Sequence, residues 1–315
     1  MSFDPTGKLT RTNFADLPPL CTDGAWGTQL QGLGARPGEM TDRWNVSAPE
    51  RVLSVAQAYV EAGAQVILTN TFSCNRVALG AHGLAEAAVG LARAGAEISR
   101  NAAKGAAYVF GSVGPTGKLI ALRNIDASAI REAAAEQAAA LAAGGVDAIV
   151  IETQAALEDA RAALEGCLQG CNLPVGVSFS FDSGRDSSRT MMGVRVSEAH
   201  RMAVEGGASF VGANCGAGIE AMVEVARQFG ACGGGLPVWI KGNAGTPVVG
   251  PDGQSRYEAP VDLYARVAPS LLEAGVRFVG GCCGSTPEHI RALSREFRRQ
   301  DAGRPHPEEA RGPRR

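Results

Sequence analysis

The chain has 315 residues, of which 45% are hydrophobic and 20% are charged, and this composition excludes disorder over most of its length. Thirty Lys and Arg residues against 32 Asp and Glu residues give a net charge of -2, so we expect no nucleic-acid or membrane-surface partner. No apolar run is long enough to span a bilayer.

The cellular compartment is predicted from the N-terminus and the cysteines. The N-terminal segment lacks the apolar stretch of a secretory signal, so we expect a cytoplasmic protein. In that reducing compartment, the eight cysteines are expected to be thiols, metal ligands or redox groups in preference to structural disulfides.

Eight short apolar segments with the character of buried strands follow one another along the chain, and helical patterns separate them. Four of them share one pattern, in which an Ala-rich helix ends, a Gly follows, and a short apolar run leads to small or polar residues. The eight segments lie within residues 19–25, 61–72, 106–114, 142–153, 173–181, 205–215, 236–244 and 273–283. Alternating strands and helices predict a parallel sheet, and eight such units predict an α/β fold of the (β/α)8 TIM-barrel type.

A doubly wound open sheet is the alternative fold for this alternation. Such sheets usually carry a G-x-G-x-x-G phosphate turn after the first strand. Here Gly24 and Gly27 follow the first predicted strand without completing that pattern, which favours the barrel.

The sequence predicts a single barrel domain over residues 15–297. Residues 1–14 precede the first predicted strand and form an N-terminal extension. The segment 298–315 is charged, contains Pro and Gly, and has few apolar residues, so we predict a disordered tail there.

Polar or thiol side chains stand at the carboxyl end of every predicted strand. In a (β/α)8 barrel these ends surround one mouth, where the active site lies. A purely structural barrel has no need of such a ring of polar groups. The groups are Asp23, Asn70, Thr71, Ser112, Glu152, Thr153, Ser180, Asn214, Cys215, Asn243, Cys282 and Cys283.

Three of these groups are cysteines from two distant parts of the sequence. Cys215 ends the sixth predicted strand, and Cys282 and Cys283 end the eighth, about 10 Å away by the usual strand spacing. Two side chains with Zn–S bonds of about 2.3 Å can bridge that gap. Neighbouring strand residues point to opposite faces, so the backbone must leave regular strand geometry at Cys282 and Cys283, which the surrounding glycines permit.

Three thiolates with a fourth position open are typical of a catalytic zinc site. Two other interpretations remain open at this point. Cys282 and Cys283 can form a vicinal disulfide or a redox pair, and all three cysteines can be ordinary buried thiols.

A series of sequence blocks resembles the homocysteine S-methyltransferase family. In order, the blocks are DGAWGTQL (23–30), TNTFSCNR (69–76), GSVGPTG (111–117), IET (151–153), GANCG (212–216), KGNAG (241–245) and GGCCGSTPEHI (280–290). GGCCG with an upstream N-C is the specific part of this signature, and the first two blocks are most similar to the homocysteine-binding module of cobalamin-dependent methionine synthase. The chain departs from the family pattern at Trp26, where Met is frequent, and at Gly242, where Pro is frequent.

The resemblance implies a (β/α)8 barrel that binds Zn²⁺ through Cys215, Cys282 and Cys283, with the homocysteine thiol in the fourth coordination position. Zn²⁺ deprotonates a coordinating thiol, and the resulting thiolate is the good nucleophile. The leading hypothesis is therefore a zinc-dependent S-methyltransferase that methylates L-homocysteine to L-methionine.

One substrate contact is predicted from the same resemblance, which implies that Glu152 contacts the substrate ammonium. The others are predicted from their positions at strand ends. Asp23 does related work or orients its loop. Ser112 and the glycines of GSVGPTG are candidates to present N–H groups to the substrate carboxylate. Asn70 and Asn214 either contact the substrate or brace loops.

The methyl donor is left open by the sequence. It is either methylcobalamin on a separate corrinoid partner or a small donor such as betaine or S-methylmethionine. Trp26 and Trp44 are candidate aromatic contacts for a quaternary ammonium, but only 5% of the residues are aromatic, and Cys74 stands where betaine-using relatives tend to have an aromatic residue. The alternative function is a non-catalytic barrel that binds zinc and homocysteine and acts through a partner.

Overall fold

Eight strands form the centre of the fold in the computed structural model, which describes residues 5–36, 38–184, 188–250 and 255–302. The strands are short and almost entirely buried, because the layers on both of their faces cover the apolar side chains. In chain order they are β1 (Leu20–Cys21), β2 (Val66–Leu68), β3 (Tyr108–Val113), β4 (Ala148–Gln154), β5 (Val175–Phe179), β6 (Phe210–Gly218), β7 (Val238–Asn243) and β8 (Val276–Gly281).

The eight strands pair in parallel in the order β1-β8-β7-β6-β5-β4-β3-β2. The two ends of this sheet meet at a bridge between Thr22 and Val66. There the Asp23 N–H donates to the Val66 carbonyl at 2.9 Å, and the Gln65 N–H donates to the Cys21 carbonyl at 2.7 Å. The sheet closes on itself, which confirms the predicted (β/α)8 barrel.

Helices connect the strands and cover the outside of the barrel. In α5, for example, Leu91, Ala92 and Ala96 are buried and recur at helical spacing, so one face of the helix packs on the sheet. No helix in the described part of the chain is long and apolar enough to cross a membrane. The helices are α1 (Gly27–Gly32), α2 (Trp44–Ser47), α3 (Pro49–Glu61), α4 (Arg76–Gly80), α5 (Ala88–Ala103), α6 (Ala127–Ala143), α7 (Leu157–Gly170), α8 (Val196–Glu205), α9 (Met222–Cys232), α10 (Leu263–Glu273) and α11 (Pro287–Ala302).

An aromatic cluster fills the amino-terminal end of the barrel, which we call the floor. Its rings come from the first half of their strands, and all are buried. Phe14 lies among them, with its ring centroid 5.1 Å from that of Phe210 and 5.4 Å from that of Phe278. Leu9 belongs to the same cluster, so the segment before residue 15 is packed into the barrel. The members contributed by strands include Phe110, Phe210, Trp239 and Phe278.

The last helix extends past the predicted end of the barrel. α11 begins at Pro287 and continues to Ala302, whereas the sequence placed the start of a disordered tail at 298. The helix continues because Phe297 is buried against the core and the Arg299 guanidinium pairs with Glu296 at 3.0 Å. The helix therefore continues past the boundary predicted at 297, and the domain boundaries themselves stay a prediction. The rest of the predicted tail, 303–315, lies outside the described residues.

Candidate metal centre

Three cysteine sulfurs meet at the mouth of the barrel. Cys215 lies in the terminal part of β6, and Cys282 and Cys283 follow β8 directly. The Cys215 sulfur is 2.9 Å from that of Cys282 and 4.0 Å from that of Cys283, and all three are free thiols. Within the described ranges, this is the only group of three His, Cys, Asp or Glu residues close enough to hold one metal ion.

The backbone leaves regular strand geometry at both segments, whereas the sequence predicted this only for Cys282 and Cys283. Cys215 has a φ of 57°, and the pairing of β6 with β7 is irregular between Cys215 and Gly218. Left-handed backbone is unfavourable for a residue with a side chain and is found where surrounding structure enforces it, frequently at functional sites. β8 ends at Gly281, and the next residues are tied to β7 by the Cys282 N–H, which donates to the Gly242 carbonyl at 2.8 Å.

The chemistry of the three sulfurs fits a thiophilic divalent metal. Two Zn–S bonds of about 2.3 Å span up to about 4.6 Å, so one ion can contact all three side chains. Hydrogen bonds from Cys215, Cys282 and the Tyr257 hydroxyl lower the pKa of the Cys283 thiol. Hydrogen bonds to Cys282 and Cys283, followed by burial, raise the pKa of Cys215. One cysteine of the cluster therefore ionises readily, and a bound cation is needed to stabilise the ionised form of all three.

A cavity of about 290 Å³ lies over the three sulfurs. Its size is close to the lower end of the range for small-molecule sites, which suits a ligand no larger than an amino acid and a small second group. Glu152, Ser112, Asn70 and Asn214 of the predicted substrate contacts line it, and Asp23 pairs with the lining residue Lys241. The lining includes Trp26, Asn70, Phe72, Ser112, Glu152, Asn214, Lys241 and the three cysteines.

The glycines of GSVGPTG do not line this cavity, since Gly114 and Gly117 line a separate cavity. The N–H groups of Ser112 and Gly114, predicted to face a substrate carboxylate, instead donate to Thr69 Oγ1 at 3.0 Å and to the Phe72 carbonyl at 2.8 Å.

Glu152 reaches this cavity from β4. Its side chain is 7% exposed, and its Oε1 accepts a hydrogen bond from the Ser112 hydroxyl. Burial raises the pKa of Glu152 to about 7, and the nearby Lys241 charge opposes that rise. A buried carboxylate that lines a cavity is suited to bind a cationic group, because the ligand charge replaces the lost solvation.

Asp23 lies beneath the cavity, and its carboxylate is fully engaged by the protein. One oxygen pairs with the buried Lys241 ammonium. The other accepts hydrogen bonds from Trp26 Nε1 at 2.7 Å and from the Leu68 N–H at 2.7 Å. The geometry favours the loop-orienting role predicted for Asp23 over a direct substrate contact.

Asn70 and Asn214 both brace the mouth. The two N–H groups of Asn70 donate to the Thr41 carbonyl at 2.9 Å and to Asn45 Oδ1 at 3.0 Å, which fixes the loop after β2. Asn214 Oδ1 accepts from the Thr153 N–H at 2.8 Å, and its Nδ2 donates to the Thr153 hydroxyl at 2.8 Å. Thr153 has a φ of 61°, so the end of β4 is strained in the same way as β6 at Cys215, and the two hydrogen bonds from Asn214 fix it there.

The family model for homocysteine S-methyltransferase matches residues 20–297, which is nearly the whole barrel. The chain belongs to the homocysteine S-methyltransferase family. Among curated family members, methionine synthase of Mycobacterium leprae is 31% identical in a 298-residue alignment that covers 89% of this chain and 24% of that protein. Methionine synthase of Mycobacterium tuberculosis is 32% identical in a 289-residue alignment that covers 86% of this chain and 24% of that protein. The chain thus spans about a quarter of the length of these relatives.

Solved structures of the family share the fold. The homocysteine methyltransferase MmuM from Escherichia coli, in its metallated form, matches with a TM-score of 0.74 and 24% identity over 90% of this chain and 98% of that one. Its oxidized form matches with a TM-score of 0.73 and 24% identity, over 88% of this chain and 95% of that one.

The departure from the family pattern at Gly242 has a steric reason in this chain. A Cβ at this position would lie 2.6 Å from the Ile219 Cα and 2.9 Å from the Ile219 nitrogen. The chain after β6 therefore packs directly on the β7 backbone, and only glycine fits between them. Trp26, the other departure, lines the cavity and donates to Asp23, whereas Trp44 is buried elsewhere with its Nε1 bound to Glu39 at 2.9 Å.

Sequence reasoning missed two residues of this family site. Lys241 is 1% exposed, and it stands in the otherwise apolar strand VWIKGN, where a buried cation needs an acidic partner. A lysine within a buried strand could therefore have been recognised from the sequence as a residue with an acidic partner. Tyr257 packs against Gly284, beside the cysteine pair, from the loop between β7 and α10, where no periodic pattern marks it.

Proposed function

We propose that the protein is a zinc-dependent S-methyltransferase that transfers a methyl group to the thiol of L-homocysteine and forms L-methionine. The observation that carries the proposal is the cluster of three free thiols beside Glu152 in one cavity at the barrel mouth. Membership of the homocysteine S-methyltransferase family supports the acceptor.

Zinc fits the donor set better than the hard cations do. Cys215, Cys282 and Cys283 would hold the ion through thiolates, which favour Zn²⁺ over Mg²⁺ or Ca²⁺, and the cavity leaves a fourth position for the substrate. When bound, zinc supplies the deprotonation of a coordinating substrate thiol at neutral pH.

The chain's own residues orient the amino acid for this step. Glu152 binds the substrate ammonium through a charge-assisted hydrogen bond, and the Ser112 hydroxyl keeps the carboxylate turned toward the cavity. This arrangement directs the substrate sulfur toward the three cysteines. The sulfur electron pair forms the new S–CH₃ bond while the bond from the methyl group to the donor breaks. The donor leaves with that bonding pair, and the thiol proton passes to solvent.

Lys241 balances the charge of the mouth. Three thiolates and one divalent ion carry a formal charge of -1, and Glu152 adds to it when ionised. Burial raises the pKa of both Cys282 and Glu152, and the Lys241 charge opposes that rise in each group. It does so from below the cavity, where its pairing with Asp23 keeps it away from the substrate position.

The methyl donor is one of two kinds in this proposal. Methylcobalamin on a corrinoid protein is one, and it is consistent with the methionine synthases among the relatives. A small donor such as betaine or S-methylmethionine is the other. Trp26 and Phe72 are the aromatic side chains at the cavity, and the Trp26 N–H is already engaged by Asp23.

A donor panel tests the proposal. The purified chain is incubated with homocysteine and with betaine, S-methylmethionine or a methylated corrinoid protein, and methionine is measured together with zinc per chain. We expect about one zinc per chain and methionine from at least one donor. Bound zinc and homocysteine without turnover by any donor would favour the non-catalytic alternative, and a Cys282–Cys283 disulfide without zinc would favour redox chemistry.

A further inference from the structure

A second cavity, of about 230 Å³, lies beside the candidate metal centre. It is bounded by the loop after β3, by α6 and α7, and by the loop before α8. Thr153, at the end of β4, is the lining residue that the two cavities share, so a ligand in the second cavity would lie apart from the three cysteines. The volume is below the range of drug-sized sites and suits a ligand no larger than an amino acid.

Asn75, Gln137 and Asp159 line this cavity, and they are 2%, 1% and 7% exposed. Each has one buried polar atom without a hydrogen-bond partner in the described part of the chain. Asn75 Oδ1 accepts from a backbone N–H of α4 at 2.8 Å, and Nδ2 is unpaired. Gln137 Nε2 donates to two backbone carbonyls at 2.7 and 3.2 Å, and Oε1 is unpaired. Asp159 Oδ1 accepts from the Ile120 N–H at 3.3 Å, and Oδ2 is unpaired.

The bonds already made determine which polar groups are left for a ligand. Neither amide can be turned over without losing the hydrogen bonds of its other atom, so Asn75 offers a donor and Gln137 offers an acceptor. Asp159 offers a second acceptor, and burial raises the pKa of this carboxyl group, so a cation at Oδ2 would favour its ionised form. Buried polar groups are nearly always hydrogen-bonded, and three unpaired ones in one cavity therefore indicate a ligand with matching groups.

The rest of the lining combines apolar side chains with one basic residue. Lys118 lines the cavity and is exposed, so a positive charge stands at its solvent side. An aliphatic chain in the cavity would be covered by apolar groups from the loop after β3, from both helices and from the loop before α8. These groups include Val113, Leu119, Ile130, Ala134, Ala163 and Met191.

We propose that this cavity is a second binding site, for an aliphatic α-amino acid. The ligand ammonium donates to Asp159 Oδ2 and Gln137 Oε1, which are the two unpaired acceptors. The ligand carboxylate accepts from Asn75 Nδ2 and pairs with Lys118, and the aliphatic side chain packs on the apolar lining. Betaine does not fit this pattern, because a quaternary ammonium has no N–H to donate to the two acceptors. The inference does not depend on the zinc site.

L-Norleucine is the probe, because it is an aliphatic amino acid without a sulfur atom that could bind a metal. Isothermal titration calorimetry of the full chain, with and without saturating homocysteine, measures its binding. We expect one norleucine per chain under both conditions and no displacement by betaine. Asp159→Asn keeps the shape of the side chain and removes its charge, so we expect Kd for norleucine to rise by about 10-fold.

Glu158→Gln is the matched control, because Glu158 is the neighbouring acidic residue of α7, is exposed and does not line the cavity. Its Kd for norleucine should equal that of the unaltered protein. If Asp159→Asn fails to fold, Asn75→Asp provides a second measurement. Aspartate keeps the oxygen that caps α4 and replaces the free N–H donor by an acceptor, so Kd should again rise by about 10-fold.

Three results would overturn the second site. A titration of the unaltered protein that shows only heat of dilution would mean that the cavity holds water alone. An unchanged Kd in folded Asp159→Asn or Asn75→Asp would remove these residues from the site. Binding that disappears with homocysteine and weakens in Glu152→Gln would place norleucine in the cavity over the cysteines instead. Because the titration requires no methyl transfer, each of these results is separate from the test of the proposed function.

Discussion

The floor and the mouth of the barrel are built from the same strands but differ in chemistry. In β7, Trp239 belongs to the floor, and Lys241, two residues later, lies under the cavity. In β3, Phe110 and Ser112 make the same change. Alternate strand residues point to the barrel interior, so one step of two residues exchanges an aromatic layer for a polar one. The comparison separates residues that stabilise the fold from residues available for chemistry.

The buried ion pair of Asp23 and Lys241 belongs to both groups, because it stabilises the fold and also lies next to the cavity. Breaking it should give the largest loss of stability. Lys241→Met leaves the Asp23 carboxylate without its cation at a fully buried position, and we expect a loss of about 3–5 kcal/mol in the free energy of unfolding. Urea unfolding followed by circular dichroism measures it. The double variant Asp23→Asn with Lys241→Met removes both charges and should recover part of the loss. Equal instability of the single and double variants would contradict the assignment.

Loss of a floor ring should affect stability and leave metal binding intact. Phe14→Ala removes a fully buried ring that stacks on Phe210, and we expect a loss of about 3 kcal/mol in unfolding free energy. Zinc per folded chain should stay unchanged, because the cysteines lie at the opposite end. A variant that loses zinc while still folded would show that the floor and the mouth are coupled.

Loss of a mouth thiol should give the reverse result. Cys215→Ser should abolish zinc binding, and the activity should fall by at least about 30-fold, since a free thiol is only a few per cent ionised at neutral pH. Metal analysis and methionine formation measure the two effects. Cys232→Ser is the control, because Cys232 lies at the end of α9 and contacts the Gln228 carbonyl. Retention of zinc by Cys215→Ser would contradict the metal centre.

Glu152 should produce the smallest effect and a pH dependence. Glu152→Gln should raise KM for homocysteine by about 10-fold, since one hydrogen bond between charged groups is lost. The pKa of about 7 means that the carboxylate is ionised above neutral pH and becomes protonated below it. KM of the unaltered protein should therefore rise as the pH falls below 7, whereas KM of Glu152→Gln should not follow that change. Zinc content measured at each pH controls for protonation of the cysteines.

The barrel was predictable because its signal repeats. Each Gly after an Ala-rich helix and each short apolar run marks one strand–helix unit, and the C-terminal ends of parallel strands must share one side. The approach of Cys215 to Cys282 and Cys283 followed from that rule alone. The end of α11 was not predictable in this way, because a charged amphipathic final turn with one buried residue, Phe297, resembles a solvated tail in sequence.

The residues that sequence analysis missed are recognised by contacts between segments that lie far apart in the sequence. Tyr257 packs beside the cysteine pair, against Gly284, from a connecting loop. The closure of β1 on β8 and β2 is needed before Asp23 and Lys241 can be recognised as partners. Phe14 was assigned to an extension because a single aromatic residue before the first strand carries no periodicity. In all three cases the information lies in tertiary packing.

The amide of Asn214 has a consequence for substrate choice. It joins Thr153, the neighbour of Glu152, to the strand end that carries Cys215. These hydrogen bonds thereby fix the distance from the Glu152 carboxylate, proposed to bind the ammonium, to the cysteine sulfurs. Cysteine is one methylene shorter than homocysteine, so we expect that it cannot contact Glu152 and the metal centre at the same time.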